Sequence, residues 1–91
     1  MALGVKSKVV TIATAGTPTQ VDANSDHSVR MNILNPFRNT GVAYFGGSDL
    51  AATAQRTLER GESVDLYNVA PSMVYVDVAV NGESVECFWM I

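Results

Sequence analysis

Short runs in which apolar residues alternate with other residues recur along this chain, and glycine, proline or asparagine closes them. The clearest run is Met73 to Val80, MVYVDVAV, in which every second residue is a valine. Successive side chains of a β-strand point to opposite faces of the sheet, so a period of two predicts strands. No stretch of the chain keeps a helical period over three turns. The sequence therefore predicts an all-β domain.

Further runs predict the other strands. They are Lys8 to Thr14, Thr19 to Ala23, Val29 to Leu34, Val42 to Phe45, Val64 to Leu66 and Ser84 to Ile91. Tyr67 to Ser72 contains Pro71 and predicts a loop or a short edge strand. About seven short strands at a spacing of roughly 8–12 residues are typical of sandwiches and barrels. We predict a single-domain antiparallel β-sandwich, jelly-roll-like, with about seven or eight strands.

Two glycines are predicted to lie in turns that need a left-handed backbone. Gly61 precedes the strand that starts near Val64, so we expect a positive φ at this residue. Asn81-Gly82 separates the last two runs and predicts a tight hairpin of type I′, in which both central residues have positive φ. The small residues from Ser48 to Gln55 predict a loop.

The alternation also predicts which side chains form the core. The last strand is apolar on both faces near its end, which is typical of a central strand or of a strand at an interface. The residues predicted to point inward are Val10, Ile12, Val29, Met31, Ile33, Val64, Leu66, Val74, Val76, Val78 and Val80.

The chain has 91 residues, the size of one domain. We expect residues 8–91 to form the sandwich and residues 1–7 to form an N-terminal arm that orders on contact with a partner. Apolar residues make up 47% of the chain and charged residues only 16%, which indicates either a dense β core or apolar surface for partner subunits, and we favour the second interpretation. The expected state is a homo-oligomer, with a trimer favoured. Its interface candidates are Phe37, Tyr67, Phe88 and Met90.

The charge pattern excludes a typical nucleic-acid binder, because duplex binding needs a basic face. The net charge is −3, and the lysines and arginines are scattered along the chain. No apolar run approaches the ~18 residues of a membrane span, and the N-terminus lacks the apolar core of a signal peptide. The single cysteine, Cys87, excludes an intrachain disulfide framework and fits folding in a reducing cytoplasm. We expect neither nucleic acid nor membrane as a partner.

No group of residues has the composition of a catalytic or metal site. His27, the only histidine, lies in a polar loop, and Cys87 lies in an alternating strand where a buried thiol behaves as a small apolar side chain. The aspartates are dispersed and lack the spacing of a calcium loop. We predict that the protein is not an enzyme and that it uses no cofactor and no metal.

Four features follow one another along the chain: the opening strand VVTIATAGTPTQV, a GGSD turn after a central strand, L-x-x-GES before the next strand, and VYVDVAVNGESV near the end. With these features, nearly the whole chain, from about Lys8 to Trp89, resembles small structural proteins of tailed-bacteriophage virions. These motifs mark turns and strands, so the resemblance brings no active-site residues with it.

The resemblance implies a capsid decoration, or cement, protein that is made in the host bacterial cytoplasm and binds the major capsid protein on the outer surface of the head. Basic and apolar residues of the arm and of the exposed strand faces are the expected capsid contacts. They are Leu3, Val5, Lys6, Lys8, Arg30 and Arg38. The alternative is a tail-associated or fibre-associated module that recognises a host-surface glycan or protein.

Overall fold

The computed structural model describes residues 4–25, 28–50 and 56–90, apart from the side chain of Val29. The strands of this part of the chain are β1 (Val5–Thr11), β2 (Thr19–Gln20), β3 (Ser28–Leu34), β4 (Ala43–Gly46), β5 (Arg56–Leu58), β6 (Ser63–Val69), β7 (Tyr75–Val78) and β8 (Ser84–Met90). A single-turn 3-10 helix, Pro71–Met73, precedes β7. None of the described residues belongs to a helix that is long and apolar enough to cross a membrane.

The eight strands form two four-stranded antiparallel sheets. The long-strand sheet has the order β1-β8-β3-β6, and each of its strands has seven residues. The short-strand sheet has the order β2-β7-β4-β5, and its strands have between two and four residues. Among the described strands, only β4 and β5 are both consecutive along the chain and paired with each other. Eight strands in this order form a jelly roll, so the predicted fold is confirmed.

The core lies between the two sheets and consists of alternate residues of the strands, as predicted. Met31, Ile33 and Val76 have no exposed surface, and Cys87 and Trp89 of the central strand β8 are 3% exposed. Burial of one such apolar side chain contributes roughly 1.5–3 kcal/mol. The other buried members of this cluster are Val10, Ile12, Val21, Ala43, Leu58, Val74, Val78 and Val85, with Val64 and Leu66 half-buried against them.

The connection between β7 and β8 is not the predicted hairpin, because the two strands belong to different sheets. Gly82 has a φ of 82°, but Asn81 does not have a positive φ, so the turn is not of type I′. The N–H of Gly82 donates to the carbonyl of Ile12 at 2.8 Å, where the chain crosses between the sheets. Val80 lies in this crossing and is 39% exposed, so its predicted place in the core was wrong.

β1 begins at Val5, so residues 5–7, which the sequence analysis placed in an arm, form part of a strand. These residues pair with Phe88 to Met90 of β8. Their side chains are exposed, and the backbone ladder with β8 places them in the sheet. Apolar alternation gives no signal for such a strand end, because nothing covers either of its faces.

The central part of the chain contains more strand than predicted. β5 follows the loop of small residues and pairs with β4, with Ala43 opposite Leu58. β6 continues past Leu66 to Val69, into the stretch predicted as a loop or a short edge strand, because it pairs with β3 up to Ser28. Residues 51–55 of the predicted loop lie outside the described part of the chain.

Two buried asparagines hold the loop between β3 and β4. Asn35 Nδ2 donates to the carbonyls of Gly41 at 3.1 Å and Leu58 at 2.8 Å. Asn39 Nδ2 donates to Asn35 Oδ1 at 2.7 Å and to the carbonyl of Ser84 at 2.6 Å. Because both asparagines are almost fully buried, water cannot replace these bonds, and the loop has one well-defined conformation.

Gly61 has a φ of 82°, which confirms the predicted left-handed turn. Its N–H donates to the carbonyl of Asn35 at 2.6 Å. A Cβ atom at this position would lie 2.3 Å from Cζ of Phe37, so the Phe37 ring lies directly against the backbone of Gly61. The glycine thus meets a backbone requirement and leaves room for an aromatic ring.

We expect Gly61→Ala to lower the free energy of unfolding by about 1–2 kcal/mol, because a left-handed backbone strains any residue with a Cβ atom. Gly16→Ala is the matched control, since Gly16 has a φ of 89° and open space around it. Gly61→Ala should lower the free energy of unfolding more than Gly16→Ala does, because its Cβ atom also meets the Phe37 ring. This extra loss should disappear when Gly61→Ala is made in a Phe37→Ala background. Chemical denaturation of the three single variants and the double variant measures these free energies, and equal losses for both glycines, unaffected by Phe37→Ala, would contradict the contact.

We expect Asn39→Ala to lower the free energy of unfolding by about 1–3 kcal/mol, because the carbonyl of Ser84 and Oδ1 of Asn35 lose a donor inside the protein. Asn81→Ala is the control: Asn81 Oδ1 accepts the N–H of Ala15 at 2.7 Å, but at an exposed site where water can substitute. Thermal denaturation should separate the two variants clearly. An Asn39→Ala variant as stable as Asn81→Ala would show that the buried network is dispensable.

Candidate interaction surface

The outer face of the long-strand sheet consists of the side chains that point away from the core. The strand pairing arranges them in three rows across the sheet. From β1 to β6, the rows are Val5, Met90, Arg30 and Tyr67; Ser7, Phe88, Asn32 and Asp65; and Val9, Glu86, Leu34 and Ser63. We refer to these residues together as the outer face.

Apolar side chains make up much of the outer face. Val5 is 65% exposed, Tyr67 64% and Val9 54%, while Phe88 is at the centre of the face. A groove of 350 Å³ runs beside Phe88, between the walls formed by Val9 and Leu34. Exposed apolar side chains that share one face of a sheet favour contact with a partner.

The charged side chains of the outer face are paired with neighbours. Arg30 Nη2 lies 3.0 Å from Asp65 Oδ2, and Asn32 Nδ2 donates to Asp65 Oδ1 at 2.9 Å. Glu86 pairs with Arg38, which reaches it from the β3–β4 loop. The buried Nε–H of Arg30 is the exception, since it has no acceptor among the described residues. A partner that covers this face therefore meets few uncompensated charges.

The pKa of the Asp65 carboxyl lies below the ordinary aspartate value. The hydrogen bond from Asn32 is the largest cause, and the hydrogen bond from Arg30 is the next. Both donors stabilise the ionised carboxylate. Because the folded-state pKa is lowered, the resulting stabilisation is present above the unfolded-state pKa and is lost as the pH falls through the folded-state value.

The structure brings together several residues that the sequence analysis assigned to two different surfaces. The capsid-contact candidates Val5 and Arg30 lie in one row with the oligomer candidates Met90 and Tyr67. Phe88 belongs to the next row. Members of both sets therefore share the outer face.

The remaining candidates lie elsewhere. Lys6 and Lys8 lie on the side of β1 that does not belong to the outer face. In the ladder with β8 they pair with the buried residues Trp89 and Cys87. Lys8 Nζ lies 3.2 Å from Asp22 Oδ1, and this bond is the first cause that lowers the pKa of Asp22. Phe37 and Arg38 are in the β3–β4 loop at one end of the sandwich, and Leu3 lies outside the described residues.

Val9, Leu34, Asp65 and Glu86 are members of the outer face that the sequence analysis did not select. The alternation of β1 places Val9 in phase with Val5, which is the signal that was available. The other three join the face because β8, β3 and β6 are neighbours in the sheet. Strand order of this kind is not encoded in local periodicity.

The described side chains include no group of three or more histidine, cysteine, aspartate or glutamate residues that could hold a metal ion. Burial raises the pKa of the Cys87 thiol to about 12, so this thiol stays protonated at neutral pH. His27 lies outside the described residues.

We expect Asn32→Ala to raise the pKa of the Asp65 carboxyl towards its ordinary value, and Arg30→Ala to raise it as well, because Arg30 contributes both a hydrogen bond and a positive charge. Carboxyl-carbon NMR titration measures both changes. The carboxyl of Asp22 is the internal control, because its partner is Lys8. If Asp65 titrates at an ordinary pKa in the unmodified protein, the hydrogen bonds seen on the outer face do not persist in solution.

No family model matches the chain, and no curated protein matches it either. Among solved structures, a chain from Bacillus endospore appendages, a novel family of disulfide-linked pili, aligns at a TM-score of 0.58 with 18% identity. The alignment covers 98% of this chain and 84% of the appendage chain. The Drosophila NLP core, studied for pentamer formation and histone binding, aligns at a TM-score of 0.44 with 13% identity, over 98% of this chain and 95% of that chain. The likeness to the appendage chain shows a shared fold, and the likeness to the NLP core is too low to support an inference.

Proposed function

We propose that this protein is a phage capsid decoration, or cement, protein that binds the major capsid protein on the outer surface of the head as a homotrimer. The outer face of the long-strand sheet is the observation that carries the proposal. Its exposed apolar side chains gain by leaving water, and its ion pairs limit the electrostatic cost of covering them.

The dimensions of the outer face suit a contact that is repeated many times. Four strands spaced at ~4.8 Å, with seven residues at ~3.4 Å each, cover roughly 20 by 24 Å, or about 500 Å². A single contact of this size is weak by the standards of stable protein interfaces. Copies that are linked in an oligomer bind an ordered shell with avidity, so weak contacts suffice for decoration.

The disulfide-linked assembly of the endospore appendage is not proposed for this chain. Disulfide-linked assembly needs an accessible thiolate, whereas the one cysteine of this chain, Cys87, is 3% exposed and has a raised pKa. The outer face instead offers non-covalent contacts with a protein surface.

The proposal predicts that Val9→Asp weakens binding to undecorated mature phage heads by about tenfold or more, because an unpaired carboxylate would be buried in the contact. Val80→Asp is the matched control, since Val80 is also exposed but lies in the crossing between the sheets. Co-sedimentation with heads and the temperature of DNA release are the measurements.

Equal weakening by both substitutions, or none by Val9→Asp, would show that the outer face is not the contact. If the unmodified protein neither sediments with heads nor delays DNA release, decoration is excluded. Binding to isolated tails or host cells in the same assay would then favour the tail-associated module.

A further inference from the structure

We propose that copies of this chain associate head to tail, with Phe37 of one copy inserted into an apolar cleft between the two sheets of the next copy. The inference rests on the proposed function only for the existence of a homo-oligomer. It identifies the contact that joins the copies, which is separate from the outer face that would bind the shell.

Phe37 is a large apolar side chain that the fold presents to solvent in a fixed position. It is 74% exposed, although it lies in a tight turn in which the N–H of Asn39 donates to the carbonyl of Pro36 at 3.1 Å. The buried network of Asn35 and Asn39 holds this turn, and the ring rests on Gly61. Such an anchor loses little conformational entropy on binding, which is typical of interface hot spots.

The cleft opens between β6 of the long-strand sheet and the short-strand sheet. Its volume is 390 Å³, and its apolar lining includes Phe45, Leu66, Val69, Met73 and Val74. Within the described part of the chain, β5 has three residues and β6 has seven, so β5 lies along only part of β6. An apolar cavity of ~150 Å³ already holds a benzene molecule, so this cleft has room for a phenyl ring.

The backbone conformation of Asn68 shapes the cleft wall on the β6 side. Its φ of 55° is in the left-handed region, inside a strand. Tyr67 and Asn68 are both exposed as a result, and Val69 then packs against the core and lines the cleft. A left-handed asparagine in an edge strand is a local distortion that re-aims a neighbouring side chain.

Phe37 and the cleft lie at opposite ends of the sandwich. The pairs Leu34–Ser63 and Ser28–Val69 mark the two ends of the β3–β6 ladder. Phe37 follows the first of these pairs along the chain, whereas Val69 of the second pair lines the cleft. One copy cannot fill its own cleft, so the contact is heterologous and produces a ring if its rotation closes and a filament if it does not.

The charges near the two ends do not oppose the contact. The turn beside Phe37 carries Glu59 and Glu62 against one Arg60, all exposed. The cleft lining includes one charge of each sign, Arg56 and Asp49. Met73, 55% exposed, forms a flexible wall that can adjust to an incoming ring. A second copy therefore matches the cleft in size and polarity.

The test compares Phe37→Asp, which removes the inserted ring, with Met73→Glu, which places an acid in the cleft. Both side chains are exposed, so the melting temperature should not change in either variant. Sedimentation equilibrium from about 10 µM to about 1 mM covers the range expected for a weak interface. Each variant should raise the dissociation constant at least about 30-fold, whereas Val9→Asp, an acidic change on the outer face and away from the cleft, should leave it unchanged.

Mixing the two variants gives the decisive measurement. The intact cleft of Phe37→Asp and the intact ring of Met73→Glu can form one contact, so the mixture should contain dimers and nothing larger. Monomers in the mixture, a monomeric unmodified protein at about 1 mM, or unchanged assembly of Phe37→Asp would overturn the proposal.

Failure of this contact can be distinguished from failure of shell binding. If only the head-to-tail contact is wrong, Phe37→Asp binds heads as the unmodified protein does. If only the decoration proposal is wrong, the unmodified protein assembles through Phe37 but does not sediment with heads. Val9→Asp should assemble normally in either case, because Val9 lies on the outer face.

Discussion

The pairing of β8 with both β1 and β3 is the contact on which the rest of the structure depends. β8 is an inner strand of the long-strand sheet, and without it β1 would lose its only partner in that sheet. Its inward side chains Val85, Cys87 and Trp89 are buried in the core, while Glu86 and Phe88 form the middle of the outer face. Because side chains alternate along a strand, one segment supplies both the core and the candidate surface. The ladder joins the two ends of the described chain, so a long loop must close before it can form.

The difference in length between the two sets of strands shapes the surface of the molecule. Seven-residue strands in one sheet face strands of two to four residues in the other, so the described short strands leave parts of the long-strand sheet uncovered. The exposed start of β1 and the cleft beside β6 both result from this difference. A small domain has little core to spare, and apolar surface that the second sheet does not cover has to be buried by a partner or tolerated in water. The proposed contacts with the shell and between copies use this uncovered surface.

The buried polar network of the β3–β4 loop holds one part of the surface in place. Asn35 and Asn39 place amide groups where water cannot reach them. These amide groups form hydrogen bonds with backbone carbonyls and with each other. Such a network tolerates few alternative conformations, because a displaced amide would leave buried groups without a bond. The loop therefore holds Phe37 and Arg38 in place. Arg38 in turn reaches Glu86 of β8 and connects the loop to the outer face.

The sequence by itself determined the features that depend on a few neighbouring residues. Alternation in Val74, Val76 and Val78 specified a half-buried strand, and the left-handed turn at Gly61 followed from its position before a strand. The tertiary structure alone decided which strands become neighbours. It turned Asn81-Gly82 from an expected hairpin into a crossing between sheets, added residues 5–7 to β1, and gathered a shared outer face from candidates that local pattern had assigned to separate surfaces. Periodicity and φ preferences act within a few residues, whereas strand order depends on backbone pairing and burial between segments far apart in the chain.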